Sequence, residues 1–212
     1  MKNYGKLVTG LIAAWFVVVL SASALHLFKN DANRLGIGVG ISTTTPIVIF
    51  SLWFAASEGF RKFTQSLDPV ILTSLQAWRM IGFTFVLLEA HRVLPAIFAW
   101  PAGYGDMAIG ATAAFAAWRL GNPAHRNAFL LWQMLGIADL VLAVSLGTTA
   151  GLLRPNDAPM VAMTVLPLSL IPTFLVPLFL IFHVICIAQA RGWKVTSSRT
   201  QPAARPAQHA AF

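Results

Sequence analysis

An all-α integral membrane fold, a bundle of six transmembrane helices joined by short loops, is predicted by three observations. Of 212 residues, 57% are hydrophobic and 10% charged, against roughly 45–50% and about 25% in an ordinary soluble domain. Six apolar stretches approach the length of about 20 residues that a helix needs to cross a bilayer core of about 30 Å. The basic residues also fall unevenly between the two faces these stretches define. This composition excludes a soluble enzyme and a disordered chain. The single Cys186 excludes a disulfide framework and a four-cysteine zinc site.

The spans run over 7–25, 36–56, 70–90, 103–120, 128–150 and 161–188, within a membrane domain of residues 1–192. The first, flanked by Lys2 and Lys6 and ending near Ala22-Ser23-Ala24, also has the three regions of a secretory signal peptide. Its apolar run is longer than the usual signal core, so a retained helix is expected; cleavage would leave five. The second span is interrupted by Ser42-Thr43-Thr44-Thr45-Pro46, and the sixth carries Pro167, Pro172 and Pro177. A proline cannot donate a backbone hydrogen bond, so both spans should bend and free carbonyls. No repeat relates the first three spans to the last three. Residues 193–212, polar with Pro and Ala and without periodicity, are expected to form a disordered cytoplasmic tail.

Net charge is +8, from 15 Lys and Arg against 7 Asp and Glu. One face takes ten cations: Lys2, Lys6, Arg61, Lys62, Arg119, Arg126, Arg191, Lys194, Arg199 and Arg205. The other takes four, Lys29, Arg34, Arg92 and Arg154, and Arg79 lies inside the third span. Short cytoplasmic loops carry the excess of Lys and Arg. Both termini are therefore expected in the cytoplasm of a bacterial-type inner membrane. The basicity is an orientation signal, and lipid, not nucleic acid, is the expected partner.

Ionisable side chains inside a span cost about 2.5–3.5 kcal/mol each, so they mark sites or internal pairs. Arg79 lies nine residues into the third span and Asp139 eleven into the fifth, at similar depth. A buried ion pair is expected between them, with Gln76 on the face of Arg79. His183 and Gln133 share a level nearer the cytoplasm. An outer layer gathers His26, Glu89, His91 and Asp106, whose ligand chemistry would suit a metal ion or, through the two histidines, a haem iron. No H-x-x-x-H or E-x-x-H spacing supports that site, and no motif demands a cofactor. The hydroxyls of Ser42, Thr43, Thr44 and Thr45 are a candidate ligand-lining surface.

Gly103-Tyr104-Gly105-Asp106 resembles the tail of a potassium-channel filter, but Pro101-Ala102 replaces the preceding part of that motif and no pore helix precedes it. A turn capping the fourth helix is the expected role. Gly36 and Gly40 are expected to serve close helix packing. No G-x-S-x-G, H-E-x-x-H, phosphate loop or C-x-x-C is present, so no catalysis is expected. Two classes remain. One is a small permease for a small-molecule or ionic substrate with a charged site at mid-depth. The other is a non-transporting membrane protein, either a metal- or haem-binding bundle or a structural or assembly subunit.

Overall fold

The computed structural model describes residues 2–29, 36–154 and 156–193, and every regular element among them is helical. The tail expected beyond residue 193 lies outside the described residues. In chain order the elements are α1 (Lys2–Ala24), α2 (Ile37–Ala56), α3 (Glu58–Gln65) and α4 (Pro69–Ser74). A 3₁₀ segment (Leu75–Gly82) then continues into α5 (Phe83–Ala90), followed by α6 (Ala96–Phe115), α7 (Arg126–Leu153) and α8 (Val176–Arg191).

Among the described residues, five helical runs are long and apolar enough to cross a membrane: Tyr4–Ala24, Ile37–Ala56, Pro69–Ala90, Pro123–Leu153 and Ile171–Arg191. The expected fourth span falls on α6, which has 20 residues but carries Trp100, Pro101, Gly103, Tyr104, Gly105 and Asp106 around its middle. Those residues make it too polar to qualify by composition. Many large apolar side chains point outward, among them Leu52 at 66% exposed, Trp78 at 70% and Trp118 at 84%, the surface that lipid, not water, would accept.

Two expected boundaries are corrected. Helix α6 begins at Ala96, not Gly103, because Pro101 sits inside it and is absorbed. The sixth span is helical only from Ile171; before it lie a 3₁₀ turn (Met160–Thr164) and an irregular stretch with a cis Leu166–Pro167 bond. The three prolines explain the loss. In the π turn Ile171–Leu175 the Val176 N–H bonds Ile171 O, and residue 177 is proline, so Pro172 O and Thr173 O lack their ordinary helical donors. The Thr43 hydroxyl, 2.7 Å away, takes Pro172 O, and the Trp15 indole N–H donates to Thr173 O at 3.2 Å. Two polar side chains thus tie α2 and α1 to the bent span.

One element, α3, goes beyond the expected loop. Ser57 caps it by accepting from Phe60 N at 3.2 Å, and its apolar face presents Phe60 and Phe63 to Tyr4 and Trp53. The Trp53 and Phe60 rings stack with centroids 4.0 Å apart. Gln189 of α8 donates to Thr64 O at 2.9 Å and Leu67 O at 2.8 Å, closing the end of α3.

The larger apolar clusters occupy opposite ends. Phe85, Leu94, Phe98, Leu140, Met160, Met163 and Phe179 fill one; Phe50, Phe60, Leu72, Phe129, Ile185 and Ala190 fill the other. Between them the 3₁₀ segment, α6, α7 and α8 meet around a polar core.

Candidate functional site: a buried arginine between two carboxylates

The 3₁₀ segment sets the site. With three residues per turn, side chains at i and i+3 eclipse, so Gln76, Arg79 and Gly82 stand in one buried row. Thr73 of α4 and Phe85 of α5 continue the same spacing and are also buried. The row T-x-x-Q-x-x-R-x-x-G is a signal that a reading at 3.6 residues per turn passes over.

Arg79 is 1% exposed. Its Nε donates to Asp106 Oδ1 of α6 at 2.7 Å, and one terminal nitrogen donates to Asp139 Oδ2 of α7. The other terminal nitrogen faces Gly136 O at 3.2 Å and His183 Nε2 of α8 at 3.3 Å. Four elements therefore converge on one guanidinium, whose fixed fork of donors suits this multiplicity as a lysine would not.

A second chain of bonds leads away from the histidine. Gln133 Nε2 donates to Thr73 Oγ1 at 3.0 Å, so its Oε1 is the atom facing His183 Nδ1. Nδ1 must then carry the proton, and Nε2 presents a lone pair to Arg79. His183 is thereby neutral and held in one tautomer. Thr73 Oγ1 lies 3.7 Å from the buried Cys186 sulfur. The polar chain from Asp139 to Gln133 spans six residue steps of α7, about 9 Å of helix. Gln76 donates to Phe179 O at 3.2 Å, while its buried Oε1 has no hydrogen-bond donor among the described residues.

Glycines let the backbones close on this core. A Cβ on Gly82 would come within 2.5 Å of Asp106 Cβ, and one on Gly110 within 2.7 Å of Met80 N. A Cβ on Gly105 would fall on the Asp139 carboxylate, and one on Gly136 on the His183 ring. Gly103 and Gly105 are therefore close-packing residues inside α6, not a turn. Gly40 has nothing within 4 Å of an added Cβ, so the expected packing role does not apply to it.

The structure brings together Arg79, Asp139, Asp106, His183 and Gln133, with Gln76 in the row of Arg79. Asp106 is the displaced member: starting α6 seven residues earlier moves it from the helix end to mid-length. It is thus separated from the expected outer layer. His26 and His91 are exposed and Glu89 is partly so; His26 closes α1 in the left-handed region at φ 56°. Among the described residues, no three His, Cys, Asp or Glu side chains assemble as a metal site, so His26, Glu89, His91 and Asp106 do not form one ligand set. The hydroxyl run also disperses. Thr44 Oγ1 donates to Gly40 O (2.8 Å) and Thr45 Oγ1 to Ile41 O (2.7 Å), bonds within α2, while Thr43 crosses to Pro172. Four consecutive helical residues point around the axis and cannot line one surface together.

These features define a class: an all-helical protein with helices long and apolar enough to cross a membrane, whose buried polar groups are drawn onto one arginine. Residues 34–191 match the family model described as a domain of unknown function, DUF8737, and the chain belongs to that family. The matched stretch contains every group of the arginine cluster. No curated protein and no solved structure matches the chain.

Proposed function

We propose that the chain is a small permease of a bacterial-type inner membrane, with six crossings and both termini cytoplasmic, passing a small polar or ionic solute beside the Arg79 cluster. Helix α6 supplies the sixth crossing in this reading. Its Asp106, Gly105 and Gly110 face Arg79, Asp139 and Met80 and so need not meet lipid, while the exposed Trp100 and Tyr104 rings are of the kind that sits at a membrane interface. The uneven distribution of Lys and Arg supports the orientation.

The observation that carries the reading is the placement of Arg79 on irregular helix. Non-α backbone within a membrane-crossing run is tolerated against protein or a wet cavity, and carriers build solute sites where spans are broken. Here one broken span bears Arg79 and a second, bent at Ile171–Leu175, bears His183. The donor-free Gln76 Oε1 adds an acceptor for a solute N–H or O–H in the same row.

The test uses everted membrane vesicles energised to hold a pH gradient, with a fluorescent amine as reporter. A panel of amino acids, sugars, organic acids and inorganic cations is added one at a time. Wild-type protein is expected to dissipate the gradient with at least one solute, and Asp139→Asn to abolish that response. Silence across the panel, with the protein folded and inserted, would favour a packing or assembly subunit. The glycines that close over the cluster support that second reading.

A further inference from the structure

Charge counting at the cluster leads to a specific ligand. The groups facing Arg79 are Asp106 from α6, Asp139 from α7 and His183 from α8, with Gln76 on its own segment. His183 is neutral by the hydrogen-bond pattern, since Nδ1–H is used by Gln133 and Nε2 accepts from Arg79. Cys186, further along α8, touches Thr73 and not the guanidinium. The cluster therefore holds one guanidinium against two carboxyl groups, one negative charge too many if both are ionised. Surplus charge in a low-dielectric interior is strongly disfavoured, and like-charged carboxylates that share a site do not both ionise readily.

Geometry shows where the surplus is met. Arg79 engages Asp106 through Oδ1 and Asp139 through Oδ2, which leaves Asp106 Oδ2 and Asp139 Oδ1 outside its grasp. Asp139 Oδ1 occupies the space that a side chain at residue 105 would fill, were that residue not glycine. The Asp139 side chain is 12% exposed and that of Asp106 10%, against 1% for Arg79. The carboxyl groups, not the guanidinium, are the reachable edge.

We propose that the cluster binds one exchangeable proton, shared between Asp106 and Asp139. In the loaded state one carboxyl is the neutral acid and the other is the partner of Arg79, so the core is electroneutral. Releasing the proton to water restores the second carboxylate, and the extra negative charge draws Arg79 and both acids into a tighter set. This deepens the permease reading by naming its coupling ion, and it rests on that reading for the coupling role alone.

Infrared spectroscopy of the purified protein in lipid nanodiscs at neutral pH tests the binding without any solute. The expected result is a carboxylic-acid C=O band equivalent to one group per chain, shifting in heavy water and shifting again when aspartate is labelled with ¹³C in its carboxyl group. Either Asp106→Asn or Asp139→Asn removes it, because the remaining carboxylate is matched by Arg79. The isotope label assigns the band to aspartate even if a variant does not fold. Absence of the band in wild-type protein overturns the proposal, and a bound sodium or potassium ion found in its place assigns the surplus to a metal cation. A band that survives both single replacements belongs to another acid and also overturns it. A band that behaves as expected, with no solute moving in vesicles, removes the permease reading and leaves the proton site standing.

Discussion

Replacing Gly136 by alanine adds one methyl where α7 meets His183. The new Cβ falls on the Cε1–Nε2 edge of the ring. That ring cannot simply retreat: Nδ1 is held by Gln133, Nε2 faces Arg79, and Trp132 stands 5.8 Å away between centroids. Three magnitudes compete. Helix propensity favours alanine by about 1 kcal/mol. Overpacking opposes it by about 1–3 kcal/mol, and pushing the ring off Arg79 forfeits a hydrogen bond to a charged group, about 1.5–3 kcal/mol. The sum is a destabilisation of about 1.5–5 kcal/mol. Gly40→Ala is the matched control, because an added Cβ there meets nothing within 4 Å; it should gain up to about 1 kcal/mol. Reversible unfolding in mixed micelles with increasing SDS, followed by tryptophan fluorescence, measures both. A Gly136→Ala protein as stable as wild type would refute the close approach of α7 and His183.

Thr43→Val leaves Pro172 O without its donor and should cost about 1–3 kcal/mol, whereas Thr44→Val, whose exposed hydroxyl bonds its own helix, should stay within about 0.5 kcal/mol in the same unfolding assay. Arg79→Met strands the ionised carboxyl of the Asp106 and Asp139 pair and should cost about 3–5 kcal/mol. Adding Asp106→Asn and Asp139→Asn should recover the greater part of that loss; a triple variant no more stable than the single would show that Arg79 acts through packing and not charge. Cys186 is 1% exposed, so a water-soluble maleimide should leave the folded protein unlabelled and modify it fully after unfolding in SDS, read by mass spectrometry.

The membrane-like helical class and the Arg79–Asp139 contact were legible in the chain, because an arginine that cannot lose its charge must find a carboxylate at its own depth. His183 and Gln133 met for the same kind of reason. Asp106 was misplaced because Pro101 and the glycines after it read as a break before the fourth span, whereas α6 runs through them from Ala96. The third span's row of Thr73, Gln76, Arg79 and Gly82 escaped because its period is 3 and an amphipathic helix is read at 3.6. The hydroxyls around Thr43 read as a ligand-lining surface, but Thr43 serves the carbonyl of Pro172, a contact across 129 positions that no local pattern encodes. Helix α3 was readable in retrospect from Ser57, Glu58 and the spacing of Phe60 and Phe63, yet its polar flanks made it resemble a loop.

The π turn at Ile171–Leu175 has a consequence for how the chain tolerates length change. A π turn holds one residue more than the α-helical turn that would replace it, and α8 follows this one directly. Losing one residue from Ile171–Leu175 would tighten the turn without lengthening or shortening α8, and so leave His183 pointing at Arg79. A deletion anywhere from Val176 to Phe182 would instead rotate His183 by about 100°, the angle one residue subtends at 3.6 per turn, and swing the imidazole out of the cluster. The bend that frees two carbonyls is also the slack that sets the rotation of α8.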